Sequence, residues 1–192
     1  MRQAELFGLK WSDLKWNSGT LYVHRQIKRS PGDEWNFAEP KTRTGRRTLK
    51  IGEETLHKLR MHRDRVTILK GQAGPYWQDN DLMFPNTMGN PLDASNLRKD
   101  FMKILAEAGL PQMRFHDLRH TAASLMLNHG IPVIVVSRRL GHAKASTTLD
   151  IYGHLLTEMQ DEAAKLMDEL VTPQPIDLAS LNSLINLEEE TG

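Results

Sequence analysis

One stretch of the chain concentrates imidazole and guanidinium groups. It runs from His116 to Ser124 with the sequence HDLRHTAAS, and it is followed by Leu140-Gly141-His142 and then by Tyr152. His116 and Arg119 are three residues apart, so near the start of a helix they share a face. Cationic, imidazole and phenolic groups from separate segments can therefore meet at one point.

These side chains suit transesterification of a phosphodiester without a metal. A phenol has a pKa of about 10, so Tyr152 needs a proton acceptor or a neighbouring charge to act as a nucleophile. Negative charge develops on the non-bridging oxygens, where the planar fork of Arg119 offers two parallel hydrogen bonds. Donors held ready in this way contribute about 3–4 kcal/mol each where water is excluded. The leaving 5′-oxygen needs a proton, which a lysine on a mobile hairpin can supply.

The elements that must position these groups are predicted to be mostly helical. Apolar spacing and capping signals predict helices near residues 1–9, 53–69, 93–108, 117–128, 132–140, 147–151 and 157–170, with a loop over 71–91. Residues 20–27, 35–38 and 47–51 predict three antiparallel strands. The expected fold class is therefore α+β, mostly α, with a small three-stranded antiparallel sheet at one edge. Apolar residues expected in the core include Trp11, Leu118, Leu125, Leu127 and Val135.

Composition and charge argue against a membrane-spanning protein and favour one that binds a polyanion. The 192 residues are 39% hydrophobic, which suits one domain with a tail, and no apolar run approaches the about 20 residues that a membrane span needs. A cytoplasmic protein is the default expectation. Residues 1–70 carry a net charge of +8 and residues 155–192 carry −8, so the first part favours a polyanionic partner such as nucleic acid.

Two other interpretations of the same residues are weaker. His120, His129 and His154 do not share one helix face at ligand spacing and no carboxylate joins them, so no metal site and no cofactor are expected. The absence of cysteine excludes thiolate metal sites. Residues 117–139 can be read as a helix-turn-helix, but a helix–Gly–helix joint is common in any α-rich domain.

Five segments in order resemble one enzyme family. Residues 2–13 (RQAELFGLKWSD) contain R-x-x-E-L followed by L-x-W-x-D, and Pro40-Lys41-Thr42 precedes Arg47-Thr48-Leu49. The other three are His116-x-x-Arg119, Leu140-Gly141-His142 and Tyr152-Gly153-His154. Together they are similar to the catalytic domain of the tyrosine recombinases, also called the phage integrase family, from Arg2 to about Leu170.

The resemblance implies a role for each matching residue. Tyr152 is expected to attack the scissile phosphate and hold the DNA 3′ end, and Lys41 to protonate the leaving 5′-oxygen. Arg2 and Arg119 are expected to clamp the non-bridging oxygens. His116 is expected to act as the acid/base partner of Tyr152, and His142 to hydrogen-bond the phosphate. Further residues are expected to contact DNA phosphates (Arg43, Arg46 and Arg47) or to orient the catalytic groups (Glu5 and Asp117).

The resemblance also implies an organisation and a partner. Residues 1–172 are expected to form an N-terminally truncated catalytic domain, and residues 173–192 an acidic tail. Its apolar stripe, over 176–187, suggests a helix that docks on a neighbouring subunit or packs in cis. The partner is double-stranded DNA, bound in a tetrameric synapse, with a monomer or weak oligomer when alone. A chain without the family's preceding DNA-binding segments is expected to bind DNA weakly and recombine poorly.

Two rival functions stay open at this point. A type IB topoisomerase uses similar chemistry, although the short spacing from Arg119 to Tyr152 and the Leu-Gly-His motif favour a recombinase. A DNA-binding module without catalysis, either a helix-turn-helix regulator or a fragment of a decayed integrase, is the alternative from another class. Replacing Tyr152 with Phe distinguishes this binding module from an enzyme, because a pure binder does not need the hydroxyl.

Overall fold

The computed structural model describes residues 1–30, 34–40, 45–157 and 159–172. Lys41, Arg43 and the tail over 173–192 lie outside the described residues, and so do the roles predicted for them. The chain divides into two compact units, Met1–Gly153 and His154–Gly192. Every described residue predicted for the site belongs to the first unit. Within the described ranges, no helix has the length and apolar character to cross a bilayer.

The first part of the chain is a short helix followed by small antiparallel sheets. Helix α1 spans Gln3–Phe7, and the strands are β1 (Leu14–Lys15), β2 (Thr20–Val23), β3 (Gln26–Arg29), β4 (Trp35–Ala38) and β5 (Arg47–Lys50). Strands β1, β2 and β5 form one sheet in that order, while β3 and β4 pair in a separate hairpin. The fold class predicted from sequence is confirmed, but the three strands of the sheet are not the three that were expected.

The predicted strand over 20–27 is divided because of Asp13. Arg25 Nη1 donates to Asp13 Oδ2 at 2.6 Å, and His24 Nε2 lies 2.9 Å from Asp13 Oδ1. These contacts turn the chain out of β2 before β3 begins. Strand β2 then pairs with β5, and Leu21 lies opposite Leu49.

The core of this unit lies under the three-stranded sheet. Burial alternates along β2 and β5, as the two-residue period of a strand requires. The buried cluster contains Leu9, Leu14, Leu21, Val23, Leu49, Leu56 and Met83. Trp11 is partly buried against it, close to its expected place in the core.

Further helices follow in the two units, and α6 begins in the first and ends in the second. They are α2 (Glu53–Ala73), α3 (Ala94–Glu107), α4 (Asp117–Asn128), α5 (Val133–Leu140), α6 (Ser146–Thr157) and, wholly in the second unit, α7 (Met159–Val171). The carboxylate of Asp93 caps α3 by accepting from the backbone N–H groups of Ser95 and Asn96. Helix α2 continues past Gly71 to Ala73, so the loop predicted over 71–91 begins after residue 73. It ends before Pro75, whose ring disfavours helical geometry in the residue before it.

Helix α4 shows which apolar residues face the interior. Arg119, Ala123 and Leu127 are buried at a spacing of four residues. The expectation of a core position is confirmed for Leu127 and wrong for three other residues, which are exposed: Leu118 (43%), Leu125 (55%) and Val135 (48%). On α4, residues 118 and 125 lie on the opposite face of the helix, because 3.6 residues per turn places them away from the buried stripe.

Candidate active site

The carboxyl end of α5 gathers three arginines that are far apart in sequence. The last carbonyls of a helix have no partner within the helix, and they form the negative end of its dipole. Here three consecutive carbonyls accept from three guanidinium groups. The pairs are Arg47 Nε to Arg139 O at 2.9 Å, Arg119 Nη2 to Leu140 O at 2.6 Å, and Arg2 Nη2 to Gly141 O at 3.4 Å.

Gly141 makes this convergence possible. It ends α5 with φ of 73°, a left-handed conformation that costs little only for glycine. A Cβ at this position would lie 2.7 Å from Arg47 Nη1 and 3.0 Å from its Cζ. The glycine of the Leu-Gly-His motif is therefore needed for both its backbone angle and the close approach of Arg47.

A buried carboxylate orders two of the arginines. Glu5 is 2% exposed, and its two oxygens accept from Arg2 N (2.9 Å), Arg2 Nη1 (3.1 Å), Arg47 Nη1 (3.2 Å) and Arg47 Nη2 (2.8 Å). Burial by itself would raise the pKa of Glu5, but the hydrogen bonds from Arg47 and Arg2 and their charges outweigh it, so the pKa lies below its usual value. Glu5 is thus an ionised carboxylate that binds both Arg2 and Arg47.

The placement of Arg47 contradicts its predicted contact with DNA. Its side chain is 7% exposed, and its guanidinium points inward to Glu5 and the carbonyl of Arg139. Its neighbour Arg46 is exposed and forms an ion pair with Glu39, which is also exposed. Arg46 precedes β5, while Arg47 is the first residue of the strand and lies on its buried face.

Arg119 is a buried cation without a carboxylate partner. Arg119 is 7% exposed. Within the described part of the chain, no carboxylate lies at ion-pair distance from it, and its Nη1 has no hydrogen-bond partner. Burial, and next the charge of Arg2, lower its pKa to about 10, so it remains charged at neutral pH. A buried charge requires a compensating partner, and the partner that this geometry favours is an external anion.

His142 lies in the same positive environment. Its Nδ1 is 2.8 Å from the hydroxyl of Thr148, which is fully buried on α6. Burial, and then the charges of Arg119 and Arg2, lower the pKa of His142. With Nδ1 engaged by Thr148, Nε2 is the nitrogen left for an incoming oxygen.

Tyr152 lies one helical turn after Thr148 and is 4% exposed. Its hydroxyl is 2.7 Å from Nδ1 of His120. Burial raises the pKa of Tyr152, and the charge of Arg119 lowers it only in part. The predicted partner, His116, lies against His120 instead, with ring centroids 5.2 Å apart. The residue that contacts the nucleophile candidate is therefore His120, which the sequence suggests only as a rejected metal ligand.

Comparison with known proteins identifies a family. The model of the phage integrase family matches residues 1–159. The chain belongs to this family. A tyrosine recombinase XerC-like protein of Caldanaerobacter subterraneus subsp. tengcongensis is 36% identical over 182 residues, which covers 88% of this chain and 46% of the relative. The ICEBs1 integrase of Bacillus subtilis is 26% identical over 171 residues, or 89% of this chain and 46% of the relative.

Solved structures of the family share the fold. The Tn1549 transposon integrase in complex with transposon right end DNA superposes with a TM-score of 0.72 at 25% identity, over 90% of this chain and 55% of that one. The XerH site-specific recombinase bound to palindromic difH substrate gives a TM-score of 0.56 at 26% identity, over 88% of this chain and 42% of that one. The chain spans about half the length of the relatives and structures that it matches.

Asp117, a residue also predicted to orient the catalytic groups, contacts Arg114 just before α4. Its carboxylate accepts from Arg114 Nε and Nη2 and from the backbone N–H of Arg114 at 2.8 Å. It therefore fixes the turn that leads into α4 directly at His116. The sequence places His120 on the same side of α4 as His116, because it follows His116 by four residues, but it does not give the contact with Tyr152.

Proposed function

We propose that this chain is the catalytic domain of a site-specific DNA recombinase, which cuts and rejoins DNA through a covalent 3′-phosphotyrosine at Tyr152. The observation that carries the proposal is the buried guanidinium of Arg119. It has no carboxylate partner among the described residues, and its charge lowers the pKa of His142 and opposes the rise in the pKa of Tyr152. Arg2 donates to Gly141 O, next to the Leu140 carbonyl that accepts from Arg119. A phosphodiester supplies the missing negative charge at that point.

The proposed chemistry assigns each group one task. Arg119 and Arg2 hold the non-bridging oxygens and offset the charge that grows on them in the transition state. His142 donates to the same phosphate. His116, exposed at the start of α4, is the next candidate to contact the phosphate or the leaving group. The phosphotyrosine retains the energy of the broken bond, so rejoining needs no nucleotide.

Proposals for the DNA and the assembly rest on the relatives. The Tn1549 integrase and XerH were solved with DNA, which supports double-stranded DNA as the partner of this chain. Arg46 is exposed and suits a phosphate contact, and Lys41 and Arg43 keep their proposed roles on sequence alone. We extend the proposal to a tetrameric synapse on DNA and to a cytoplasmic location, because the substrate is DNA.

Covalent capture tests the proposal on many DNA sequences at once, so that no single target has to be chosen. The chain is incubated with a pool of nicked duplexes of random sequence, and complexes that survive denaturation are sequenced and digested for mass spectrometry. The expected result is a nucleotide attached to Tyr152, absent in Tyr152→Phe. Tyr76→Phe is the matched control, because Tyr76 is 74% exposed. An attachment to another residue would contradict the assignment.

The same assay separates the rival functions. A wild-type chain that binds DNA but forms no covalent complex would support the non-catalytic module. Relaxation of supercoiled plasmid at any sequence, without transfer between two duplexes, would support a topoisomerase. A crystal grown with sulfate gives an independent test, since the anion is expected on Arg119, Arg2 and His142 together.

A further inference from the structure

We infer that His120 is a further catalytic residue, whose Nδ1 accepts the proton of the Tyr152 hydroxyl as the phenolic oxygen attacks phosphorus. The inference rests on the proposed strand cleavage and adds a named proton acceptor to it. The assignment differs from the expectation from sequence, in which His116 has this role.

The first support is the geometry of the contact. His120 Nδ1 and Tyr152 Oη are 2.7 Å apart, inside the range of about 2.6–3.2 Å over which a base can take a proton directly. The two rings are tilted, with centroids 5.9 Å apart, so the contact is made at the nitrogen and the oxygen and not by stacking. The contact joins α4 to α6 and spans 32 residues of sequence.

The second support is that the phenol needs such an acceptor. Tyr152 is 4% exposed, so bulk water has little access to take its proton. Burial raises the pKa of Tyr152, which keeps the phenol protonated at neutral pH. Imidazole is the side chain most often used as a general base near neutral pH.

The third support is the position of His116. Its ring meets the ring of His120 edge-on, at an interplanar angle of 71°. Burial, and next the charge of His120, lower the pKa of His116, which favours its neutral form. His116 is also exposed, which leaves it accessible to DNA.

The proton balance of the step is closed. In cleavage, the O–H bond of Tyr152 breaks and its proton moves to His120 Nδ1, while the Oη–P bond forms. The P–O5′ bond breaks, and the 5′-oxygen takes a proton from a separate acid, the role proposed for Lys41. In rejoining, the 5′-hydroxyl returns its proton to the separate acid as its oxygen attacks phosphorus, the P–Oη bond breaks, and the proton on His120 returns to Tyr152.

Replacement of His120 separates proton transfer from hydrogen bonding. His120→Asn places an amide oxygen near the position of Nδ1, which accepts a hydrogen bond but takes no proton at neutral pH. His120→Ala removes both functions. His129→Asn is the control, because His129 is exposed at the end of the same helix and contacts only Leu125 O among the described residues. The substrate is the duplex recovered by covalent capture.

Both His120 variants are expected to cleave about 10²–10⁴-fold more slowly in a single turnover, the range for loss of a general base. Their affinity for the duplex in a gel shift is expected to stay within about threefold of wild type, a change under about 1 kcal/mol. His120→Asn that cleaves within about tenfold of wild type would overturn the inference, because hydrogen bonding alone would then suffice.

A modified substrate distinguishes a base from an acid. A duplex with sulfur in place of the bridging 5′-oxygen expels a thiolate, which needs no proton because a thiol has a pKa of about 8.5. The loss in His120→Asn is expected to persist on this duplex. Recovery of the rate would assign His120 to the leaving group and overturn the inference.

The unmodified protein offers a test that does not depend on the folding of a variant. Nitrogen-15 NMR of labelled histidines is expected to show His120 with its proton on Nε2, leaving Nδ1 free to accept from Tyr152. A proton on Nδ1 in the neutral ring would overturn the inference. A wild-type chain that forms no covalent complex would instead defeat the proposed function, so the two failures are distinguishable.

Discussion

Replacing Arg47 with Met removes the buried partner of Glu5 and keeps a side chain of similar length. Breaking a buried ion pair from one side costs about 3–5 kcal/mol, because the other charge stays buried without compensation. Glu5 would keep only its bonds from Arg2, whose side chain is 46% exposed. The carbonyl of Arg139 would also lose its donor, a cost of about 1–3 kcal/mol that overlaps with the first. The expected loss is therefore about 3–5 kcal/mol, a large part of the about 5–15 kcal/mol typical of a domain.

Urea unfolding followed by tryptophan fluorescence measures this loss. The chain has four tryptophans, and two of them, Trp11 and Trp16, pack against the core cluster. Arg46→Met is the matched control, since it removes the adjacent arginine from an exposed ion pair with Glu39. An exposed pair contributes about 0–1 kcal/mol, so the control should unfold close to wild type.

Two outcomes would refute this reasoning. The first is a loss below about 1 kcal/mol in Arg47→Met, which would place it in the range of an exposed pair. The second concerns the double variant Arg47→Met/Glu5→Gln. Since Glu5→Gln removes the uncompensated charge, the double variant should lose less than the sum of the two single losses. Additive losses would mean that the two side chains do not act as a pair.

Three further predictions follow from the same contacts. Gly141→Ala should unfold at least about 1 kcal/mol more easily in urea, because a left-handed residue with a Cβ is strained and the Cβ meets Arg47. The pKa of Glu5 is lowered in the folded chain, so its contribution to stability is full above about pH 4.3 and is lost as the pH falls through the folded pKa. The cost of Glu5→Gln in urea should therefore shrink below about pH 4. The pKa of His142 is also lowered, so stability should fall as the pH falls below about 6.5, and His142→Asn should make that slope shallower; an unchanged slope would contradict its burial.

Much of the site could be predicted from sequence, because several of its residues lie at or next to the ends of helices and strands. Gly141 ends α5, so the residues just before it place their free carbonyls at a helix end, where cations collect. The predicted DNA contact of Arg47 does not fit its buried guanidinium, and β5 contains the signal for that burial. Leu49 must be buried, and residues two apart on a strand share a face, so Arg47 belongs on the buried side of β5.

Other features needed the folded structure. The contact between His120 and Tyr152 depends on how α4 and α6 meet, and no local pattern reports the distance between two helices. Leu118 and Leu125 were expected in the core because they are apolar, but a large share of any protein surface is apolar. The position of a residue around the helix axis decides whether it is buried. Arg119 lies on the buried face of α4, so Leu118, one residue earlier, points away from the interior.

The charges at the carboxyl end of α5 affect both the stability of the fold and the proposed binding of phosphate. Three guanidinium groups converge on three consecutive carbonyls, and Glu5 is the carboxylate that pairs with two of them. Arg119 is left buried without a carboxylate at ion-pair distance in the described chain, an arrangement that burial makes costly. A phosphate bound there would offset that cost and would be held most tightly when its charge is greatest, in the transition state. Under the proposed function, the same unbalanced charge that weakens the free fold would make the site selective for the reacting phosphodiester.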